Sequence, residues 1–575
     1  MSFLATQPQL MTLAAENLAG IQTAIAEASA TAAGPTTGLV AAAADEVSAA
    51  ISNLFGAFGQ EYQGLVQQAE AYHSAFVQAL TAGANAYTQA EAASQQLLAG
   101  ASGAAAPAQT ALLGDTFAWI IGGSGTPIPS ATYVDQVLRY VREAFTVNPG
   151  NFLPLFTPEG LQPIYTGIKS LPLNTSVSQG IQILDFNIKN TLANPPVGVQ
   201  SVAVLGYSQS AIIASLEMRN LMNPLLNPTP PAPDQLGFTL LGNPMNPNGG
   251  LLARFPGLSL PSLGLDFYGA TPPDTPYPTN IYTLQYDGFA SFPRYPLNFL
   301  SDLNAFLGIQ TIHGKYPSLD INNLPPGYDV VTLPGSESLT GVGETNYYMI
   351  THPDLPIMAP IKAIPIIGGP LNSLLEPNMR ILVNLGYGDP NFGYPTGPAN
   401  EPTPFGLFPD VDYVQVAGML ANGTQQGFTN MMADITGMTP SAESLPATLT
   451  SFLGSGSTAA TSVLSAAPTS ATDVIRSIQS ANTNITNAFT NATSNAYALF
   501  LPTLDIGNAL VTTMPSYDIN LFLDGVAQMM EGDIAGGLAY ALVAPVAADT
   551  AIVTLAAGFQ FIVILNTIEA ILGIG

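Results

Sequence analysis

Residues 202–213, VAVLGYSQSAII, pass from four apolar residues through a short polar cluster into a helical pattern. This pattern predicts a buried strand that turns sharply at Ser208 into a helix. Strand-like and helix-like stretches alternate on both sides of it, which favours a doubly wound parallel α/β sheet with ligand sites beyond the carboxyl ends of its strands. We expect strands at 117–121, 201–205, 237–240 and 280–286, and helices around 133–145, 176–192 and 209–221. Ser208 therefore lies where such a sheet places its site.

The charge balance and the rare residue types narrow the possible chemistry. Thirty-eight Asp and Glu residues against eleven Lys and Arg give a formal net charge of −27. A surface of this kind repels phosphate backbones, so we expect no nucleic-acid partner. The chain contains no cysteine, which excludes a disulfide framework and Cys-ligated metals. We expect neither a metal nor a cofactor, and any mechanism that needs an imidazole must use His73, His313 or His352.

The residues around Ser208 have the spacing of a nucleophile elbow. Such a turn needs small residues two positions before and two positions after the serine, and Gly206 and Ser210 meet this need. A nucleophilic serine also needs a general base and an acid that orients the base. The alternative interpretation is that Ser208 is an ordinary helix N-cap.

Candidates for the acid and the base follow in the chain order of α/β hydrolases, which is Ser, then Asp or Glu, then His. Asp287 comes directly after the strand expected at 280–286, although an Asp-Gly pair is also common in turns. Both His313 and His352 come later and could act as the base, whereas His73 falls in the helical N-terminal part and is set aside. For the oxyanion, the backbone N–H of Gln209 is one expected donor, and the glycine-rich loop at 120–127 is the expected source of the other.

The N-terminal part has helical periodicity on both sides of the breaker Gly34-Pro35-Thr36-Thr37-Gly38, which predicts an antiparallel helical hairpin. A hairpin alone leaves apolar side chains such as Leu54 and Phe58 without a partner, so it either packs on the rest of the chain or docks another protein. The opening MSFLATQPQLMTLAAENLAGIQTAIAEASATAAGPTTGLVAAAADEVSAAI resembles the PE domain of mycobacterial proteins, over roughly the first hundred residues. The resemblance implies pairing with a PPE-type partner or a secretion chaperone, and export by type VII secretion to the cell surface or envelope. Tyr87 and Glu91 fit the Y-x-x-x-D/E export signal of that family.

A second resemblance covers roughly residues 112–440. The segments VLGYSQS, LLGNPMNPNGGLLARF, YDGFASFPRYP and PFGLFPDVD resemble the PE-PPE domain, a serine hydrolase domain related to cutinases. The family's G-Y-S-Q elbow matches Gly206–Gln209, and its H-x-x-Y pattern matches His313–Tyr316 but not His352. The resemblance therefore implies a triad of Ser208, Asp287 and His313, and it implies Ser124 as the second oxyanion donor.

These observations predict three regions: an N-terminal PE hairpin, a cutinase-like α/β-hydrolase domain with a doubly wound parallel sheet, and a mostly helical C-terminal region. The predicted bounds are 1–98 for the hairpin, 99–111 for a linker, 112–440 for the hydrolase domain and 441–575 for the Ala/Ser/Thr-rich C-terminal region. Residues 550–568 carry no charge and approach membrane-spanning length. They form either a buried core helix or a helix that associates with membrane or cell-wall lipid.

The sequence thus predicts an exported serine esterase or lipase that hydrolyses acyl esters through an acyl-enzyme. Two alternatives stay open. One is an acyltransferase that uses the same triad on cell-envelope lipids or sugars. The other is a non-catalytic envelope, host-interaction or pore-forming protein.

Overall fold

A computed structural model describes most of the chain after residue 113 and scattered positions before it. The described residues are 29–31, 33–35, 37–38, 40, 43, 52, 56, 60, 63, 114–163, 165–167, 170–336, 343–365, 367–437, 483 and 498–572. Most of the predicted hairpin, the linker, His73, Tyr87 and Glu91 lie outside them. The chain divides into two compact units, Met1–Pro107 and Ala108–Gly575. The description below concerns the second unit, and the finer domain bounds stay predictions.

The second unit is built on a seven-stranded sheet with the strand order β2-β1-β3-β4-β7-β9-β8. Its strands are β1 Asp115–Ile120, β2 Phe152–Pro154, β3 Val199–Tyr207, β4 Leu236–Leu241, β7 Thr279–Leu284, β8 Val330–Thr332 and β9 Thr345–Ile350. Neighbouring strands are parallel except at one edge, where β8 runs antiparallel to β9. Strands β5 (Ser259–Leu260) and β6 (Leu265–Asp266) form a separate antiparallel pair. The predicted parallel sheet is confirmed, and the structure adds β2, β9 and the antiparallel edge strand β8 to the four predicted strands.

Helices cover both faces of the sheet. They are α1 Ala131–Arg142, α2 Leu173–Ala193, α3 Gln209–Met222, α4 Leu251–Arg254, α5 Phe299–Thr311, α6 Ala359–Lys362, α7 Gly368–Asn384, α8 Tyr413–Gly437, α9 Met514–Met530 and α10 Ile534–Leu572. Short 3₁₀ helices lie at Pro261–Leu263, His313–Ser318, Pro356–Met358 and Leu385–Tyr387. Helix 498–508 continues into α9 through a π-helical turn at Ala509–Thr513.

The two faces bury two separate hydrophobic clusters, because successive side chains of a strand point to opposite faces. On β3, Val202 and Val204 join the cluster beneath α2, α3 and α5, whereas Ala203 and Leu205 join the cluster beneath α1 and α7. The middle of β3, Val202–Leu205, is therefore apolar at every position, as expected of a parallel strand covered on both sides. This burial holds the carboxyl end of β3 fixed, and Ser208 follows it directly.

Helix α10 packs one face on the core and exposes the other. Ala544, Ala547, Ala548, Ala551 and Leu555 are buried in the cluster beneath α2 and α3. The opposite face exposes Leu538, Leu542, Val546, Val553 and Phe561. Among the described residues, α10 is the helix long and apolar enough to cross a bilayer, yet 33% of its most apolar window is buried within the protein. Each expectation for residues 550–568 thus fits one face of α10. The face that packs on the core fits a core helix, and the exposed apolar face fits a helix that associates with lipid.

Candidate active site

Ser208 occupies a strained turn between β3 and α3. Its backbone has φ 57° and ψ −116°, a left-handed value that costs a non-glycine residue free energy and that a nucleophile elbow uses to present its serine. Gly206 makes the turn possible, because a Cβ at that position would lie 2.6 Å from the carbonyl oxygen of Ser210. The hydroxyl of Ser210 accepts a hydrogen bond from the Tyr207 N–H at 2.7 Å and donates one to the Tyr207 carbonyl at 3.1 Å. Ser210 thus ties the turn together with a side chain that glycine lacks.

Three side chains from separate elements meet at this turn. The Nε2 atom of His313 lies 2.8 Å from the Oγ atom of Ser208. On the other side of the ring, Nδ1 of His313 lies 2.9 Å and 2.8 Å from the two carboxylate oxygens of Asp287. Asp287 is fully buried, and His313 and Ser208 are nearly so. The structure therefore brings the predicted serine, histidine and aspartate into one hydrogen-bonded line.

Further hydrogen bonds orient the carboxylate of Asp287. The Phe289 N–H donates to Oδ1 at 3.0 Å, and the Tyr316 hydroxyl donates to Oδ2 at 2.7 Å. Tyr316 in turn accepts a hydrogen bond from the Leu284 N–H at 2.8 Å. Burial raises the pKa of Tyr316 well above its ordinary value, and the Asp287 charge raises it further, so the phenol remains a donor. The sequence analysis used Tyr316 only as part of a pattern and missed this contact.

Aromatic rings hold the imidazole of His313 from two sides. Tyr207 stacks on it, with ring centroids 5.5 Å apart and planes 26° apart, and the Tyr207 hydroxyl donates to the His313 carbonyl at 2.7 Å. Phe289 meets the same ring edge to face at 4.9 Å. The ring is therefore fixed between its two polar partners before a ligand arrives.

His352 lies in a different environment. Its Nε2 atom is 2.9 Å from the Lys315 ammonium nitrogen, and its Nδ1 atom accepts a hydrogen bond from the Asp354 N–H at 3.1 Å. Burial, and then the Lys315 charge, lower the pKa of His352 to about 4. Its ring nitrogens thus contact a cation and backbone groups, whereas those of His313 contact a hydroxyl and a carboxylate.

The two expected oxyanion donors lie together. The Ser124 hydroxyl donates to Oε1 of Gln209 at 2.8 Å, and Nε2 of Gln209 donates to the Ser176 hydroxyl at 2.6 Å. Because α3 begins at Gln209, the helix itself supplies no acceptor for the backbone N–H of that residue. The single proton of the Ser124 hydroxyl is already directed at Gln209, so this hydroxyl must rotate to donate to an oxyanion.

A residue that the sequence analysis missed, Glu159, supports the loop that carries Ser124. Its carbonyl accepts a hydrogen bond from the Gly125 N–H at 2.8 Å, and its carboxyl accepts one from the Thr157 hydroxyl at 2.6 Å. The side chain is fully buried, and burial raises the pKa of Glu159 from 4.5 to about 8. In the sequence it stands in a plain Thr-Pro-Glu-Gly turn, and nothing there marks a buried carboxyl.

A cavity opens beside Ser208. Ser124, Ser208 and Gln209 line one part of it, and apart from Tyr165 its other described lining residues are apolar. Pockets for small molecules are lined mostly by apolar side chains and carry only a few polar groups that orient the ligand. Among the described residues, no three His, Asp or Glu side chains are grouped as a metal site requires. The arrangement can therefore present a serine nucleophile to a largely apolar ligand.

Comparisons with known proteins match the chain to two protein families. The chain matches the PE family over residues 4–94 and the PE-PPE domain over residues 151–388, a range that contains Ser208, Asp287 and His313. The esterase PE16 of Mycobacterium tuberculosis is 46% identical over 414 residues, which are 71% of this chain and 73% of that protein. The uncharacterized PPE family protein PPE28 of the same species is 41% identical over 460 residues, 80% of this chain and 67% of that protein.

Among solved structures, a cutinase-like protein from Cryptococcus sp. matches at 17% identity with a TM-score of 0.22. The match covers 37% of this chain and 90% of that protein. A likeness at this TM-score carries no functional argument.

Proposed function

Because the chain belongs to the mycobacterial PE family and carries a PE-PPE domain, we propose that it is a serine hydrolase that cleaves acyl esters. The observation that carries this proposal is the Ser208–His313–Asp287 line, with 2.8 Å between Oγ of Ser208 and Nε2 of His313. The esterase activity named for the relative PE16 agrees with it. In this proposal Ser208 is the nucleophile, His313 is the general base and Asp287 orients the base.

The reaction follows from the contacts. Oγ of Ser208 attacks the ester carbonyl while Nε2 of His313 takes the hydroxyl proton. Asp287 accepts the Nδ1–H hydrogen bond and stabilises the imidazolium that forms. The backbone N–H of Gln209 and the rotated Ser124 hydroxyl stabilise the tetrahedral oxyanion. His313 then returns the proton to the leaving alcohol, and a water activated in the same way clears the acyl group from Ser208.

An acyltransferase that uses the same residues is the second candidate. The cavity beside Ser208 has an almost wholly apolar lining, which favours exclusion of water from the acyl-enzyme. A sugar or lipid hydroxyl would then replace water as the acceptor. The contact between Ser208 and His313 weighs against the non-catalytic alternative. Packing alone does not require a buried serine beside an imidazole that is hydrogen-bonded to a carboxylate.

We also propose that the N-terminal segment, residues 1–98, is an export and docking element. The match to the PE family over residues 4–94 supports this role, together with the Tyr87 and Glu91 spacing. The proposed destination is the cell surface or envelope through type VII secretion, with a PPE-type protein or a secretion chaperone as partner. Lipid association of the C-terminal helices belongs to the same proposal.

Ester hydrolysis by purified variants tests the catalytic assignment. Ser208→Ala should lower kcat for a chromogenic ester by on the order of 10³-fold or more, because the loss of a triad member leaves only oxyanion and binding contributions. Ser215→Ala is the matched control, since it removes a serine hydroxyl from α3, the helix that follows Ser208, where Ser215 bonds the Ala211 carbonyl and the Thr271 hydroxyl. Near wild-type turnover by folded Ser208→Ala protein would overturn the assignment.

A further inference from the structure

The cavity beside Ser208 is closed by residues that lie more than 290 positions later in the chain. The α/β core contributes residues such as Leu252, Phe267 and Phe289. The remaining wall comes from Ile506, in helix 498–508, and from α10 through Ile552, Leu555, Ala556 and Phe559. The C-terminal region is therefore part of the boundary of the candidate site.

Close packing fixes α10 at this position. A Cβ at residue 558 would lie 2.5 Å from the ring of Phe306, so the glycine allows the helix to approach α5 directly. The next residue, Phe559, meets the Phe306 ring edge to face with centroids 5.5 Å apart. This contact directs the Phe559 side chain toward the core.

A row of aromatic rings connects this helix to the catalytic histidine. Phe559 lies edge to face with Tyr165 at 6.0 Å, and Tyr165 lies edge to face with Phe289 at 6.4 Å. Phe289 is the ring that packs on His313. The Tyr165 hydroxyl accepts a hydrogen bond from Nε2 of Gln310 at 2.8 Å, which holds its ring in this row. The cavity wall thus runs without a break from α10 to the triad.

The chemistry of this wall selects one class of ligand. Its side chains offer area for hydrocarbon and no charge for a head group, while the polar atoms gather at Ser208, Gln209 and Ser124. Each methylene that moves from water into such a wall is worth about 0.8 kcal/mol, which corresponds to about a fourfold gain in kcat/KM. A ligand with its ester at Ser208 and a chain against α10 uses both parts of the cavity.

We propose that α10 is an acyl-chain subsite, in which Ile552, Leu555 and Phe559 bind the hydrocarbon chain of a lipid ester and set the chain length that the enzyme accepts. This inference rests on the proposed hydrolase function and extends it, because it names medium- and long-chain acyl esters as the substrate class. It also makes the C-terminal helices part of the active site.

Chain-length profiles of the full-length protein test the proposal. We would measure kcat/KM for p-nitrophenyl esters of 4 to 12 carbons with wild type, Phe559→Ala and Leu555→Phe. Phe559→Ala removes wall area, so the ratio of dodecanoate to butyrate kcat/KM should fall at least tenfold. Leu555→Phe fills the cavity and should lower the same ratio at least tenfold by a different route, which keeps the test decisive if one variant does not fold.

Phe561→Ala is the matched control, because Phe561 lies two residues further along α10 and is 57% exposed on the outer face. It should keep the wild-type profile. Fluorophosphonate labelling of each variant separates the two claims: if Ser208 is labelled but folded Phe559→Ala and Leu555→Phe proteins keep the wild-type ratio, the subsite is wrong and the hydrolase proposal stands. Absence of labelling in wild type would instead contradict the hydrolase function itself.

Discussion

At the elbow, the hydroxyl of Ser210 bonds both backbone polar groups of Tyr207, in a position where hydrolases of this architecture usually carry glycine. Strain at Ser208 is therefore offset by two local hydrogen bonds as well as by the packing of β3 and α3. Local hydrogen bonds also hold Asp287, because its two carboxylate oxygens each accept one further hydrogen bond, from Phe289 and from Tyr316. These contacts fix the geometry of the triad without help from a ligand.

The two histidines that follow Asp287 in the chain have different contacts, so their substitution should have different effects on acylation. His313→Ala should abolish acylation by a chromogenic ester at pH 7–8, because no other imidazole in the second unit lies against Ser208 in the described residues. His352→Ala should change acylation by less than about tenfold, or about 1.4 kcal/mol, since His352 contacts Lys315 and its pKa is lowered to about 4. Single-turnover kinetics measures both. The reverse ranking, with both variants folded, would move the general-base role to His352.

The residues in and around the candidate site differ in whether the sequence alone could predict them. Ser208, Asp287 and His313 could be selected because a nucleophile elbow and its partners follow a fixed chain order and short patterns. Residue order alone left His352 open, and the H-x-x-Y pattern of the family that the sequence resembles favoured His313. Glu159 could not be selected, because its importance comes from complete burial beside the Ser124 loop, which a three-dimensional contact creates.

Among the elements, the segment between β2 and α2 contacts the loop that carries Ser124. The Glu159 carbonyl receives the Gly125 N–H, and the next residue, Gly160, donates its N–H to the Ser176 hydroxyl at 2.8 Å. Ser176 also receives Nε2 of Gln209. The segment thus connects the Ser124 loop to the start of α3.

The buried carboxyl of this segment predicts a pH dependence of stability. Burial raises the pKa of Glu159 from 4.5 to about 8, so between these values the unfolded chain releases a proton that the folded chain keeps. Stability of the wild type should therefore fall as pH rises through this window, by up to about 1.4 kcal/mol for each pH unit, and level off above pH 8. Glu159→Gln stays neutral and should gain stability relative to wild type between pH 5 and pH 8.

Thermal unfolding at pH 5 and pH 8 checks this expectation. Glu401→Gln, which changes an exposed carboxyl, controls for the loss of one charge. Equal differences between wild type and Glu159→Gln at both pH values would show that Glu159 is ionised throughout and would contradict the prediction.

The succession of β1, α1, α2, β3, α3, β4 and β7 along the chain could be predicted, because apolar strands and helical periodicity alternate there. The other strands, β2, β5, β6, β8 and β9, were not predicted. The place of α10 could not be predicted either. A helix that is apolar on all sides gives the same pattern whether it lies in a protein core or in a bilayer. Only its packing, with Ala547 and Ala551 buried and Leu542 and Val546 exposed, separates an inner from an outer face.

The whole chain divides into two compact units, Met1–Pro107 and Ala108–Gly575, and all the residues of the candidate site belong to the second. A chain that begins near residue 110 should therefore keep its esterase activity within about threefold, because this part contains the triad, the oxyanion residues and α10. The same chain should fail to be exported from a mycobacterial host, since it lacks the proposed export element. Activity of the purified protein and its amount in culture filtrate measure the two parts. A folded but inactive chain would place the N-terminal segment in the catalytic unit.

If Ser208 is an activated nucleophile, a fluorophosphonate probe should label it covalently. We expect that wild type and Ser215→Ala react, that peptide mass spectrometry locates the label on Ser208, and that folded Ser208→Ala protein does not react. Labelling of Ser208→Ala at the wild-type rate, or a label on another residue of the wild type, would show instead that Ser208 is not the nucleophile.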